Sequence, residues 1–391
     1  MVKSVIIMMR KTISAISAIA VLLLSLSACG QSGSKDSVAV ADKLVDLKLN
    51  DNAAADGIQA WVASVSFVPL RITEDDSFFK QVNKCVVSDS CIFLLDYFGN
   101  SVVTAWKLDG TFLFKVGQQG GGPGEYNRIT DIDVANGHIY LLDSSRSMIL
   151  SYDMRGDYQK TYSYRDKLKG VNDLIVTTDS CFMLGMDVEL NDENQVILTD
   201  KEFNVKNVLL TFDEQTTRGH LNIGCFKRCG SRIVYYYPVS DHLYEFTLGG
   251  ELRQVYNIAY GSGLPLELRK DYQRISNAKR DGKLTYFFET PFWNGNLLLS
   301  TIYSDSKKAL FCADVQRHIA MKYIYDGAKP EISLSLFNFP VYMDDDRVIS
   351  ALDPSLYNYL DEESKRMLGD KNGAIMQEGD VLLAIYHLKK T

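Results

Sequence analysis

A two-residue turn between apolar runs returns six times along this chain at nearly even intervals. Asp89-Ser90, Asn136-Gly137, Asp179-Ser180, Gly230-Ser231, Asn294-Gly295 and Asp345-Asp346 each separate two strand-like segments. The first residues of successive pairs lie 47, 43, 51, 64 and 51 positions apart. Asn-Gly is the strongest short-range hairpin signal, because both central positions of the favoured turn take positive φ. Six turns at such a period mean six units of about four strands each, the repeat of a propeller blade. The expected fold is all-β: a six-bladed β-propeller with four-stranded blades.

The other strands fit this frame. Cys91–Asp96, Ser101–Lys107 and Thr111–Val116 complete blade one, with Asp109-Gly110 as a second turn. His138–Asp143, Met148–Met154 and Asp157–Tyr162 repeat the pattern in blade two, around Arg155-Gly156. The sixth blade has no fourth strand after Val381–Lys389, whereas Val62–Ile72 is spare before blade one. The N-terminal strand is therefore expected to close the last blade, so that no sheet edge stays open at the seam. Two helical insertions are expected, Leu264–Lys279 and a second from Asp353-Pro354 to about Leu368. In the second, Asp acts as N-cap and Pro takes the first helical position.

Residues 1–28 carry Lys3, Arg10 and Lys11, no acidic residue, and an apolar run from Ile13 to Leu26 that ends in Leu26-Ser27-Ala28-Cys29. A basic start, a short apolar stretch and a small-residue cleavage site describe a signal peptide. The run is shorter than the ~20 apolar residues of a spanning helix. Leu-Ser-Ala-Cys resembles the lipobox of bacterial lipoproteins, which implies lipidation of Cys29 and attachment to a membrane. The expected organisation is a leader over 1–28, the lipidated cysteine with a flexible tether over 29–60, and the propeller over 61–391. No aspartate follows Cys29 directly. By the same resemblance the expected place is the cell envelope, at the outer membrane, on either its periplasmic or its surface side. Without residues 1–28 the formal charge falls from −7 to −10. That argues against a nucleic-acid partner, which needs a basic footprint.

Ser66-Phe67-Val68-Pro69-Leu70, the Gly117–Tyr126 segment with Gly-Pro-Gly-Glu-Tyr, and Tyr244–Gly250 carry a family likeness. They resemble the six-bladed β-propeller lipoproteins of Gram-negative gut anaerobes, relatives of the NHL-repeat propellers. The resemblance implies the fold and says little of an activity.

Candidate chemistry is sparse. The Gly-rich stretch 117–124 lacks phosphate-loop spacing and leads into a strand, so it reads as a blade-to-blade turn. Asp344-Asp345-Asp346 occupies a hairpin position, which Asp suits. Asp96 and Asp143 end matching strands of blades one and two, and Asp187 lies one place beyond the matching position in blade three. As a ring they are candidate channel carboxylates, whereas singly each caps the turn that follows. The capping reading is the simpler, because metal ligands usually come with histidines and none joins this set. No catalytic residue, metal or other cofactor is assigned. Tyr235-Tyr236-Tyr237, Phe287-Phe288 and Phe292-Trp293 read as core aromatics. Cys85 is expected opposite Leu94, not Cys91, and Cys225 and Cys229 lie too far apart along one strand to bridge.

In a four-strand blade the first and third turns share one face, and the remaining connections share the other. The first face is terse here, and the second carries the long loops and both helices. Long loops are commonly functional. Glu125, Tyr126, Arg128, Arg146, Arg165 and Asp241 belong to that loop face and are the candidate binding residues. The expected function is a non-enzymatic module that binds an envelope protein or glycan. A channel-mouth lyase or hydrolase of the NHL-like type is the alternative, and a purely structural part of an envelope complex is a third reading.

Overall fold

The computed structural model describes residues 44–48, 57–72, 77–191, 193–213, 216–218, 224–259, 264–278, 284–287, 289–304, 307–324 and 332–390. The leader, Cys29 and the first part of the tether lie outside the described residues. Six antiparallel four-stranded sheets form the blades. Blade one is Lys84–Val87, Cys91–Asp96, Val102–Lys107 and Phe112–Lys115. Blade two is Asp131–Ala135, His138–Asp143, Met148–Asp153 and Tyr158–Ser163, and blade three is Val171–Val176, Phe182–Met186, Asn194–Thr199 and Val205–Thr211. Blade four is Phe226–Cys229, Arg232–Tyr236, His242–Thr247 and Leu252–Ala259. Blade five begins with a split inner strand, Thr285–Phe287 and Phe292–Trp293, followed by Leu297–Ser304, Lys307–Asp314 and Ile319–Ile324. The inner strands of consecutive blades neighbour one another all the way round, including blade six against blade one. The molecule is a six-bladed β-propeller.

All six predicted turns sit between the first and second strands of a blade. Asn136 and Gly137 take φ of 53° and 74°, the left-handed pair that such a hairpin requires. Blade six is Pro340–Met343, Arg347–Leu352 and Val381–Leu388, with Val62–Leu70 as its outer strand. The N-terminal strand pairs antiparallel along Val381–Leu388 from Val62↔Leu388 to Leu70↔Val381, so the expected closure is the one formed.

The core lies between blades rather than in one centre. Phe93, Val103, Ile132 and Leu150 pack blade one against two, and Leu142, Leu174 and Phe182 pack two against three. Trp106, Ile92 and Leu383 close the seam between blades six and one. Tyr235, Tyr236, Tyr237, Phe287, Phe292 and Trp293 are all buried, so these aromatics are core. Cys85 pairs with Leu94 in the ladder, as its register predicted. The six described cysteines are free thiols.

Three departures from expectation are local. The insertion after blade four is two short helices, Leu266–Arg269 and Tyr272–Ala278, instead of one. Asp353 does cap a helix, but a 3-10 turn that ends at Tyr359. Asp361 then caps a separate helix, Glu362–Gln377, because Leu360 is extended and breaks the run. Within the segment read as a tether, Leu44–Lys48 forms a fifth strand, parallel to the outer strand of blade four. Among the described residues no helix is long and apolar enough to cross a membrane.

Candidate functional site

Each of the three candidate channel carboxylates accepts hydrogen bonds within its own loops. Asp96 is fully buried and accepts backbone N–H bonds from Lys80, Gly99 and Asn100 at 2.7–3.0 Å. Asp143 repeats this one blade on, accepting from Asn127 N–H at 2.7 Å, Arg146 N–H at 3.1 Å and the Ser145 hydroxyl at 2.6 Å. Each ties the connection that enters its blade to the turn between its second and third strands. Asp187 accepts from Glu189 N–H and the Asn172 amide. Asp96 and Asp143 thus spend their carboxylates on caps inside their own loops, and half-buried Asp187 makes two such bonds.

The Gly-rich connection between blades one and two also folds onto itself. Gln118–Gln119 and Glu125–Tyr126 form a two-residue parallel ribbon. The Glu125 carboxylate accepts from Gly122 N–H at 2.7 Å and from Gln118 Nε2 at 2.6 Å, and these bonds hold it below the usual Glu range. Tyr126 was expected to reach a partner. The ribbon instead turns its ring into the core between blades one and two, where it is fully buried with an unbonded hydroxyl. Arg146 donates to the Glu125 carbonyl at 3.3 Å. Arg128 is exposed and stands over the Tyr97 ring, 4.5 Å from its centroid. Arg165 is exposed in the next connection. Asp241 lies on the same face in blade four, paired with Arg269 at 2.5 Å. The loop face therefore holds all six residues, but Tyr126 is not a surface residue and Glu125 is engaged in its own loop.

Charge unforeseen from sequence lines the inner strands. Asp131, Asp133 and Asp173 are each at most 2 % exposed. Asp131 meets Lys84 Nζ of blade one at 2.6 Å and accepts from Leu174 N–H of blade three at 2.9 Å. Asp133 meets Arg228 Nη2 of blade four at 2.7 Å and accepts from Val176 N–H. Asp173 accepts from Gly224 and Cys225 N–H. Lys227 places its amine over the Phe292 ring, and burial lowers it to about 8. These groups bind blade to blade around the axis. Their signal in sequence was polar residues alternating with apolar ones in inner strands, as in Asp131-Ile132-Asp133-Val134. Among the described residues no three His, Cys, Asp or Glu side chains come together as a metal site.

The two faces differ in exposed apolar side chains. Of the twelve large apolar side chains exposed among the described residues, Phe78, Phe98, Leu190, Phe339, Tyr359 and Met367 belong to loop-face connections, Leu108 to a turn-face hairpin, and Leu44, Val45, Tyr158, Val205 and Ile324 to strands at the outer edges of blades. Five of the six on the loop face, all but Leu190, come from connections of blades six and one. A family model matches residues 43–378, nearly the whole described propeller. The chain belongs to the DUF4934 family. That family's description is a domain of unknown function, so membership assigns no activity. No curated protein matches the chain. Among solved structures this DUF4934 chain is similar to a Bacteroides fragilis protein inferred to be exported, with TM-score 0.68 and 16 % identity over 88 % of this chain and 100 % of that one. It is also similar to a DUF4221-family member from Bacteroides vulgatus, with TM-score 0.53 and 10 % identity over 84 % and 98 % of the two chains. At these identities the likeness is one of fold.

Proposed function

We propose that this chain is a lipid-anchored propeller of the cell envelope that binds a protein partner on the blade-six and blade-one sector of its loop face. The observation that carries this reading is that five of the twelve exposed large apolar side chains, Phe78, Phe98, Phe339, Tyr359 and Met367, come from the loop-face connections of blades six and one. Single exposed apolar residues mean little, but a concentration on one sector marks an interaction surface. Phe, Tyr, Met and Arg are the residues that interface centres favour, and Phe78, Phe98, Tyr359, Met367 and Arg128 supply all four. The lipobox at Cys29 and the likeness to an exported protein support the envelope location. The alternative of a channel-mouth lyase or hydrolase is weakened, because the carboxylates it invoked are engaged in caps.

A photo-crosslinking residue placed at Phe98, Tyr359 or Leu108 of the anchored protein tests the reading in cells. One protein adduct common to Phe98 and Tyr359 and missing at Leu108 is the expected result. Adducts from Leu108 alone, no adducts, or adducts that only glycosidases remove would overturn it. In parallel, Cys29→Ser is expected to move the protein from the membrane to the soluble envelope fraction, and unchanged membrane partition would reject the anchor.

A further inference from the structure

The turn face of blade three carries a thiol, an amine and a carboxylate in contact. Cys181 leads into the second strand of that blade and Lys206 lies in its fourth, with the third strand between them in the sheet. Lys206 Nζ nevertheless donates to Cys181 Sγ at 3.3 Å, across 25 positions of chain. On its other side the thiol donates to Asp179 Oδ2 at 3.6 Å. The hairpin fixes that carboxylate. The Thr177 hydroxyl donates to Asp179 Oδ1 at 2.5 Å, and Cys181 N–H donates to Thr177 Oγ1 at 3.0 Å. The Thr177 bond also holds Asp179 below the usual Asp range, so it is ionised and ready to take the thiol proton. A cation beside the sulfur favours the thiolate, the form that reacts. The other described thiols have no such setting. Burial pushes Cys85 up to about 12 and Cys229 up to about 11, and it holds Cys225 and Cys312, near Asp173 and Asp314, well above the thiol range. Cys91 meets the neutral Ser90 hydroxyl.

We infer that Cys181 and Lys206 form a peroxide-responsive modification site that closes into a covalent sulfur–nitrogen link. The co-reactant is a hydroperoxide. In the first step the Cys181 sulfur attacks one peroxide oxygen, so that an S–O bond forms and the O–O bond breaks. The displaced oxygen takes the thiol proton by way of Asp179 and leaves as water. Sulfur is oxidised by two electrons, and the peroxide is reduced by the same two. In the second step the Lys206 amine, once it has released a proton to solvent, attacks the sulfenic sulfur. The S–N bond forms, the S–O bond breaks, and the hydroxyl leaves as a second water with a proton from the amine. Sulfenic acids condense with nearby nitrogen in this way, and the link is reversible, whereas further oxidation to sulfinic acid is not. A separation of 3.3 Å already lies within the ~3–3.5 Å of reacting atoms poised for attack. Cys181 is 5 % exposed and Lys206 is exposed, so the site suits an oxidant little larger than water. The inference depends on neither the apolar sector nor the lipid anchor.

Mass spectrometry of the full chain tests it, after brief treatment with hydrogen peroxide, denaturation, alkylation with iodoacetamide and digestion with trypsin. The expected product is a pair of peptides joined at Cys181 and Lys206, lighter than their sum by two hydrogens, uncut after Lys206 and separated by dithiothreitol. Cys181 should become resistant to alkylation at least about tenfold faster than Cys225 or Cys312. Lys206→Arg keeps a cation beside the sulfur and removes the attacking amine, so Cys181 should still be oxidised but remain unlinked. At an exposed position this change should leave the melting temperature as it was. No joined pair in the wild type, a joined pair in Lys206→Arg, or loss of Cys225 or Cys312 as fast as Cys181 would overturn the inference.

Discussion

Lys84 Nζ of blade one lies 2.6 Å from Asp131 Oδ1 of blade two, joining the inner strands of neighbouring blades through a buried ion pair. The second Asp131 oxygen takes the Leu174 N–H of blade three, so one carboxylate links three blades. Asp173 stands within the field of both Asp131 and Lys84. Buried charges of this kind contribute to specificity of arrangement, and losing one partner is costly.

The first expectation concerns Asp173. Burial, and then the neighbouring Asp131 carboxylate, raise it to about 7, against about 3.9 in an unfolded chain. A folded-state pKa raised in this way favours the fold below the unfolded value, and that stabilisation is lost as pH rises through about 7. Asp173→Asn mimics the protonated acid and keeps an oxygen for the Gly224 and Cys225 amides. Relative to wild type, the variant should gain about 3 kcal/mol between pH 5 and pH 8. Denaturant melts at both pH values measure this, and a difference independent of pH would show that Asp173 does not titrate in that window.

A second expectation separates capping from ligand binding. Asp143→Ala leaves two backbone N–H groups and a hydroxyl without their buried acceptor. The cost should be about 3 kcal/mol or more. Asp187→Ala, at a half-exposed site with fewer bonds, should cost about 1 kcal/mol. Equal melting temperatures for the two variants would contradict the staple role.

The seam supplies a third expectation. Gly110 has φ of +86°, and a Cβ there would overlap the Pro69 carbonyl oxygen of the closing strand. Gly137 has φ of +74° with open space around it. Both alanine variants carry backbone strain of about 1 kcal/mol, but Gly110→Ala must also push blade one away from Val62–Leu70. It should therefore lose at least about 2 kcal/mol more than Gly137→Ala in chemical denaturation. Similar losses would mean that the closing strand yields at no cost.

Turns, strands and blade count were legible in the sequence because a hairpin is set by its own residues. Asn136-Gly137 takes left-handed φ wherever it sits, and the apolar runs beside it have little choice but to pair. Even the closure was legible, since a missing outer strand at one end matched a spare strand at the other. Tyr126 and the inner charges were not. Tyr126 is buried by a ribbon between residues seven apart that local pattern does not announce. Asp131, Asp133 and Asp173 bond to backbone N–H groups 43 to 52 positions away, in the following blade. By itself the sequence determined the ring, because its repeat is local chemistry written six times. Which side chains the ring conceals and which it offers was decided only in three dimensions, where each blade's inner surface is completed by its neighbour.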